Sequence, residues 1–233
     1  MAERQKIDRA TIIDAARRIL ESDGAEALSM RRLASELESK PMTLYHYVRN
    51  KSELLSLVLA DVARSILWSS PTGTPRGRMI DIAMDMADRL AEIPWILPIL
   101  RNATHIGLPA LVLADRFLAA ALEAGATKLE AVSLWRSVWW LVSSELLFQA
   151  STPTREAGDG LWHERVTADE LIEVPTMREL FRDWADLSSA YDLRRAIEAQ
   201  IDGALPFGQH TSGGRLFSTD TQTPTRSSAD WPG

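Results

Sequence analysis

Apolar positions recur three and four residues apart from one end of the chain to the other, and no segment sustains the period-two alternation of a half-buried strand. The first stripe is Ile12, Ala15, Ala16, Ile19 and Leu20. Asp8 stands where its carboxylate can cap that helix, and Gly24 stands where a C′ glycine would stop it. Ser29 caps a short helix with Leu33, Ala34 and Leu37 inward, and Pro41 suits the first turn of another, with Leu44 and Val48 inward. Asn50, with Glu53 three residues on, forms an Asx variant of the capping box. It opens a longer helix, 51–67, that carries Leu54, Leu57, Val58, Val62 and Ile66.

Ser69 to Gly77 is the clearest break in the chain, rich in Ser, Thr, Pro and Gly. Beyond it the pattern predicts helices near 78–92, 109–124 and 127–150, with a Pro-interrupted apolar stretch from Ile93 to Leu100. A polar loop, Ser151 to Gly160, precedes two last helical stretches near 176–187 and 189–204. Of the 28 residues from Pro206 to Gly233, 16 are Gly, Pro, Ser or Thr. Such a segment buries too little apolar surface to offset its ordering entropy, so 206–233 is expected to be a disordered tail. The expected fold class is all-α.

Composition narrows the chemistry. The chain has 233 residues, 45% of them hydrophobic, which suffices for one long domain or two small ones. It has no cysteine, so disulfides, thiolate zinc sites and cysteine nucleophiles are excluded. The longest run without Asp, Glu, Lys or Arg is Asn102 to Ala114. A bilayer span needs roughly 20 predominantly apolar residues, so no membrane helix is expected. Met1-Ala-Glu-Arg-Gln-Lys6 leads into no apolar secretory core, and a soluble, cytoplasmic protein is the reading. The four histidines, His46, His105, His163 and His210, lie far apart, and there is no H-E-x-x-H, G-x-S-x-G, P-loop or G-x-G-x-x-G. The expectation is therefore no catalytic residue, no metal site and no cofactor, with His163-Glu164 a solvated pair.

Charge is uneven: residues 1–60 carry a net +1 and residues 61–233 a net −7. Within 31–51, Arg31, Arg32, Lys40, Arg49 and Lys51 outweigh Glu36 and Glu38. An acidic protein with a local basic patch can bind a polyanion, because the charges that meet phosphates decide the affinity. The stretch from Ser29 to Lys51 reads as a capped helix, a three-to-four-residue turn and a second short helix. Two helices crossing in this way, held by a third, can place the second in a major groove roughly 12 Å wide. With Leu33, Ala34, Leu37, Leu44 and Val48 inward, Pro41, Met42, Thr43, Tyr45 and His46 face outward, with no acidic side chain among them. Hydroxyls can bond phosphates, Met42 and the Thr43 methyl can meet a thymine methyl, and His46 can donate to base or phosphate.

Residues 9–59 resemble the DNA-binding domain of the tetracycline-repressor (TetR) family of bacterial one-component regulators. The resemblance is carried by Ile13-Asp-Ala-Ala16, Gly24, Ala27-Leu-Ser-Met-Arg-Arg-Leu-Ala34, Thr43-Leu-Tyr-His-Tyr-Val48 and Asn50-Lys-Ser-Glu-Leu-Leu55. It implies a helix-turn-helix head of three helices at 1–50, a connecting helix at 51–67, and a ligand-binding and dimerisation body at 51–205. It also implies a homodimer on a near-palindromic double-stranded operator, and a small-molecule effector. By position, Ser29 and Arg31 would sit at the start of the second helix, Lys40, Pro41, Met42 and Thr43 would face bases and backbone, and Tyr45 and His46 would reach the duplex. Lys51 would clamp a phosphate at the start of the fourth helix. Where the family often has Gly and then an apolar residue in the turn, this chain has Glu38 and Ser39. A non-Gly residue in a left-handed conformation costs roughly 1 kcal/mol.

The stretch 128–150 is apolar nearly all round, which buries a helix on more than one side. Val132, Trp135, Trp139, Val142 and Leu146 form one face, and Leu134, Val138, Leu141 and Phe148 line much of another. One side would meet the core and the other a second subunit. The last helix offers a matching stripe of Ala190, Leu193, Ile197, Ile201 and Ala204 for a four-helix dimer interface. Eight tryptophans is a high number for this length. They read either as core and interface filling or as the wall of a pocket for a flat hydrophobic molecule. The pocket residues would be Trp95, Arg101, His105, Trp135 and Trp139, with Glu145 a further polar candidate. The alternative reading is a constitutive helical DNA-binding or interaction protein without a ligand.

Overall fold

The computed structural model describes residues 7–101, 105, 107–151, 161–167 and 169–205, and all regular secondary structure among them is helical. The expected tail and 152–160 of the expected polar loop lie outside the described residues. No helix among the described residues is long and apolar enough to cross a membrane.

Helix α1 (Arg9–Ala27) begins where Asp8 Oδ1 accepts the Thr11 N–H at 2.8 Å, and it is interrupted at Gly24, whose φ is +76°. Helix α2 (Met30–Glu36) starts with the Ser29 hydroxyl accepting the Arg32 N–H at 3.1 Å. Helix α3 (Pro41–Leu44) has Pro41 in its first turn. Helix α4 (Lys51–Ser65) is capped by Asn50, which accepts the Glu53 N–H at 2.9 Å. The Glu53 carboxylate reaches back to the Arg49 N–H at 2.7 Å, one residue earlier than a standard capping box. Arg9 ties these helices together, donating to the Tyr47 carbonyl at 3.4 Å and lying 3.5 Å from Glu53.

Helix α5 (Pro75–Ala91) starts inside the expected break, because Thr74 caps it through the Gly77 N–H at 3.1 Å and Pro75 supplies its first turn. The Pro-interrupted stretch becomes a 3-10 turn, Pro94–Ile96, and α6 (Leu97–Arg101). A 3-10 turn at Leu108–Ala110 leads into α7 (Leu111–Glu123), and α8 (Lys128–Ser151) follows. The short α9 (Trp162–Arg165) has no counterpart in the sequence reading, since four residues carry no period. The expected 176–187 helix is divided into α10 (Pro175–Leu180), a 3-10 turn at Phe181–Asp183, and α11 (Trp184–Ser189). Helix α12 (Leu193–Ala204) begins later than expected, where Asp192 accepts the Arg195 N–H at 3.1 Å.

Helices α5, α7, α8 and α12 enclose the core of the body, with Met79, Ile82, Phe117, Leu134 and Val138 at most 1% exposed. The α12 stripe is used within the chain: Ile197 and Ile201 are fully buried, and α12 packs on α5 and α8. A dimer interface, the place expected from its periodicity, is therefore not where Ile197 and Ile201 lie. Arg76 on α5 also grips Asp202 on α12 with two hydrogen bonds, at 2.5 and 2.8 Å. Helix α8 divides its apolar surface three ways. Leu134, Val138, Val142 and Leu146 are buried, Trp135 and Trp139 are half-buried, and Val132, Trp140 and Phe148 are exposed. Val132 thus departs from the face expected for it, lying near the start of α8 and 55% exposed.

Candidate nucleic-acid interface and body cavity

The turn between α2 and α3 closes as a Schellman motif. The Ser39 N–H donates to the Ala34 carbonyl at 2.8 Å and the Glu38 N–H to the Ser35 carbonyl at 3.1 Å. Glu38 occupies the left-handed position at φ +47°, the one non-Gly residue with positive φ among the described residues. Two hydrogen bonds to carbonyls that α2 cannot satisfy itself hold the turn in that conformation.

Helix α3 is one α-turn, continued by the Tyr45–Tyr47 turn. Tyr45 N–H bonds the Pro41 carbonyl at 3.3 Å and Tyr47 N–H bonds the Leu44 carbonyl at 2.9 Å. Beneath it Leu44 is fully buried and Val48 is 1% exposed. On the outer side Met42 is 70% exposed, while Lys40, Pro41, Tyr45 and His46 are exposed and Thr43 is half-buried. Arg31 is exposed on the first turn of α2. Arg32 behind it is committed to an ion pair with Asp23. The Ser22 hydroxyl and the Arg32 guanidinium hold that exposed carboxylate below its ordinary range.

Two residues of the expected DNA-facing set have partners within the head. The Ser29 hydroxyl caps α2, and Lys51 Nζ donates to the Ala25 carbonyl at 3.0 Å, which pins the start of α4 to the residue after Gly24. Two others missing from that set stand out beside α3. Tyr47 is 37% exposed and the Arg49 side chain 89% exposed. Arg49 belongs to the basic patch visible in the sequence, and that charge was the signal.

The body holds a cavity of about 390 Å³. Its wall includes His105, Trp135 and Trp139, as expected, together with Trp68, Met86, Leu90, Leu100, Gly107, Ala110, Leu111, Leu113 and Ala114. Trp95 and Arg101 are not among the described lining residues. Trp95 packs against the core, and Arg101 is exposed at the end of α6. Glu145 faces a different groove, with Tyr191 and Gln200, and accepts a hydrogen bond from Gln149 at 2.8 Å. Phe117 backs the wall, its ring 5.2 Å from that of Trp135. Trp68 escaped the sequence reading because it lies in the non-periodic segment after α4. There its indole N–H donates to the Ala63 carbonyl at 3.2 Å, and Arg116 bonds the carbonyls of Trp68 and Ser69. Among the described residues, His105 is the one titratable side chain in the wall, and its Nδ1 lies 3.5 Å from Ser56 Oγ of α4. The cavity therefore suits an aromatic or otherwise apolar guest with few polar groups. His163 lies outside both regions, edge-on to Trp162 at 5.8 Å.

Comparison with known proteins agrees with this arrangement. Residues 12–58 match the family model for bacterial regulatory proteins of the tetR family. The transcriptional repressor DrrR1 of Streptomyces coeruleorubidus is 32% identical over 124 residues, which is 52% of this chain and 46% of that protein. The nicotine-responsive transcriptional repressor HdnoR of Paenarthrobacter nicotinovorans is 30% identical over 90 residues, 37% of this chain and 43% of that protein. The chain thus spans about half the length of the curated relatives it matches. Among solved structures, the Streptomyces coelicolor TetR family protein ActR in complex with actinorhodin superposes with a TM-score of 0.67 at 25% identity, covering 85% of this chain and 97% of that one. The head over residues 12–58 is therefore a DNA-binding domain of the tetR family, joined to a helical body with the fold of ActR, and the chain as a whole is similar to bacterial regulatory proteins of that family.

Proposed function

We propose that this protein is a cytoplasmic, ligand-responsive transcriptional repressor, with a DNA-reading head at 1–50 and a ligand-binding and dimerisation body at 51–205. The observation that carries the reading is the exposed surface of α3, whose polar and thioether side chains stand over the buried Leu44 and Val48. That surface, with Arg31, Lys40 and Arg49 around it, has the size and charge to enter a major groove and meet its flanking phosphates. The partner is a double-stranded, near-palindromic operator, read by a homodimer through two heads on one face of the duplex. The exposed Val132, Trp140 and Phe148 of α8 supply the apolar surface for that dimer.

The effector is a small hydrophobic or aromatic molecule held in the tryptophan-lined cavity. Its binding favours a body conformation in which α4 holds the heads at a separation the operator does not fit. By linkage each ligand then weakens the other by the same factor, typically a coupling of about 1–3 kcal/mol. Selection of duplexes from a random pool, followed by titration against salt, tests the head. The expected result is a twofold-symmetric consensus whose log affinity falls with log salt by about 0.9 per phosphate neutralised. Binding that ignores both sequence and salt would refute the reading.

A further inference from the structure

We infer that Gly107 is the contact through which a filled cavity moves the head, an inference that rests on the two-site reading above. Gly107 has φ −82° and ψ 106°, a conformation open to any residue, so the backbone does not require glycine there. The space does. A Cβ at this position would lie 2.5 Å from the Leu59 carbonyl oxygen, 2.8 Å from its carbonyl carbon and 3.1 Å from the Ala60 nitrogen. Main chain lies directly on main chain, with no side chain between to absorb a displacement by changing rotamer.

The same short strap touches α4 and the cavity. Gly107, Ala110 and Leu111 line the cavity, while Leu108 and Pro109 border a groove with Leu57 and Ala60 on the outer side of α4. His105, also in the cavity wall, meets Ser56 one turn before Leu59. Ser56, Leu59 and Ala60 stand at i, i+3 and i+4, so these contacts fall on one face of α4. The head holds α4 elsewhere: α1 packs along it, Arg17 lies 3.8 Å from Asp61, and Lys51 is bonded to Ala25. A guest that presses the strap outward therefore pushes α4 at Leu59 and carries the head with it. A methyl group at Gly107 delivers the same push without a guest, because 2.5 Å is well inside the 3.4–4 Å of ordinary contact.

The test is Gly107→Ala in a chain that also carries Glu36→Cys and Asp115→Cys. The natural chain has no cysteine, so these two exposed positions alone take spin labels, one on the head and one on α7. Diluted with excess unlabelled protein, the pair reports head-to-body distance within one chain. The inference expects a shift of about 1–2 Å or more in the mean distance, as for other helix movements of this kind. It also expects about a tenfold or greater loss of affinity for the duplex selected by the natural chain, within the usual range of allosteric coupling. A folded Gly107→Ala protein with unchanged distance and affinity within twofold would overturn it. Should that variant not fold, hydrogen exchange on the natural chain with 1-anilinonaphthalene-8-sulfonate in the cavity answers instead. Altered protection at Ser56–Ala63 supports the inference, and unchanged protection overturns it. If the natural chain selects no duplex, the operator reading fails while the distance measurement still reports on Gly107.

Discussion

In the head, the side chains offered to a partner stand outward from helices that are each fixed locally, by Asp8, Ser29, Pro41 and Asn50 at their starts. In the body, they converge inward from α5, α6, α7, α8 and the two non-helical segments around Trp68 and Gly107. The head is thus a surface written over short distances, and the cavity is a space left between elements far apart in sequence. Damage to one should accordingly show up in different observables from damage to the other. Every tryptophan lies at position 68 or beyond, so tryptophan fluorescence follows the body while far-UV circular dichroism follows both.

The largest effect is expected from Leu44→Ala, which removes a fully buried side chain under α3 and costs about 2–5 kcal/mol. Urea unfolding should then show an early loss of helix by circular dichroism, with the tryptophan transition unmoved. A single coincident transition would mean that head and body melt as one unit. Next, Arg31→Ala or Thr43→Ala should weaken binding of the selected duplex by roughly 1–3 kcal/mol for a good specific contact, with no effect on binding of an aromatic probe. Trp139→Leu should do the converse, costing the probe about 0.5–1.5 kcal/mol by fluorescence titration and leaving the duplex affinity unchanged.

Two smaller changes sharpen the contrast. Glu38→Gly relieves a left-handed non-glycine and should raise the head's unfolding midpoint by up to about 1 kcal/mol of stability. It also removes a negative charge beside the duplex, so binding should tighten and not weaken. Asp202→Asn tests the exposed link between α5 and α12. Hydrogen bonding from Arg76 holds the Asp202 carboxyl below its ordinary value of 3.8. A carboxyl depressed in the folded state stabilises it above its unfolded pKa, and the benefit is lost as pH falls through the lower folded value. Melting curves of natural and Asp202→Asn protein should therefore differ slightly at pH 5–7 and converge in stronger acid. The difference should be small, since solvent screens an exposed pair.

The same contrast explains what could be read from the chain. Asp8, Ser29, Pro41 and Asn50 announce their roles through neighbours within four residues, and the structure places each at the helix start expected of it, whereas Gly24 breaks α1 at φ +76° without ending it. The turn at Glu38 was legible as a position and also as a strain. Trp135, Trp139 and His105 share a wall because α8 and the strap are brought together by the core, a fact no local pattern carries. Trp68 and Gly107 were missed for that reason: one lies beyond the last helical repeat and the other matters only for what stands opposite it. Ile197 and Ile201 show the converse error, a clear stripe assigned to a second subunit when α5 and α8 of the same chain already cover it.

The central claim is that head and cavity are coupled, and reciprocity tests it most directly. Affinity for an aromatic probe such as 1-anilinonaphthalene-8-sulfonate should be measured with and without saturating selected duplex. Affinity for the duplex should then be measured with and without saturating probe. The account predicts that each weakens the other by the same factor, about 5- to 150-fold. Probe and duplex binding together with undiminished affinities would contradict it.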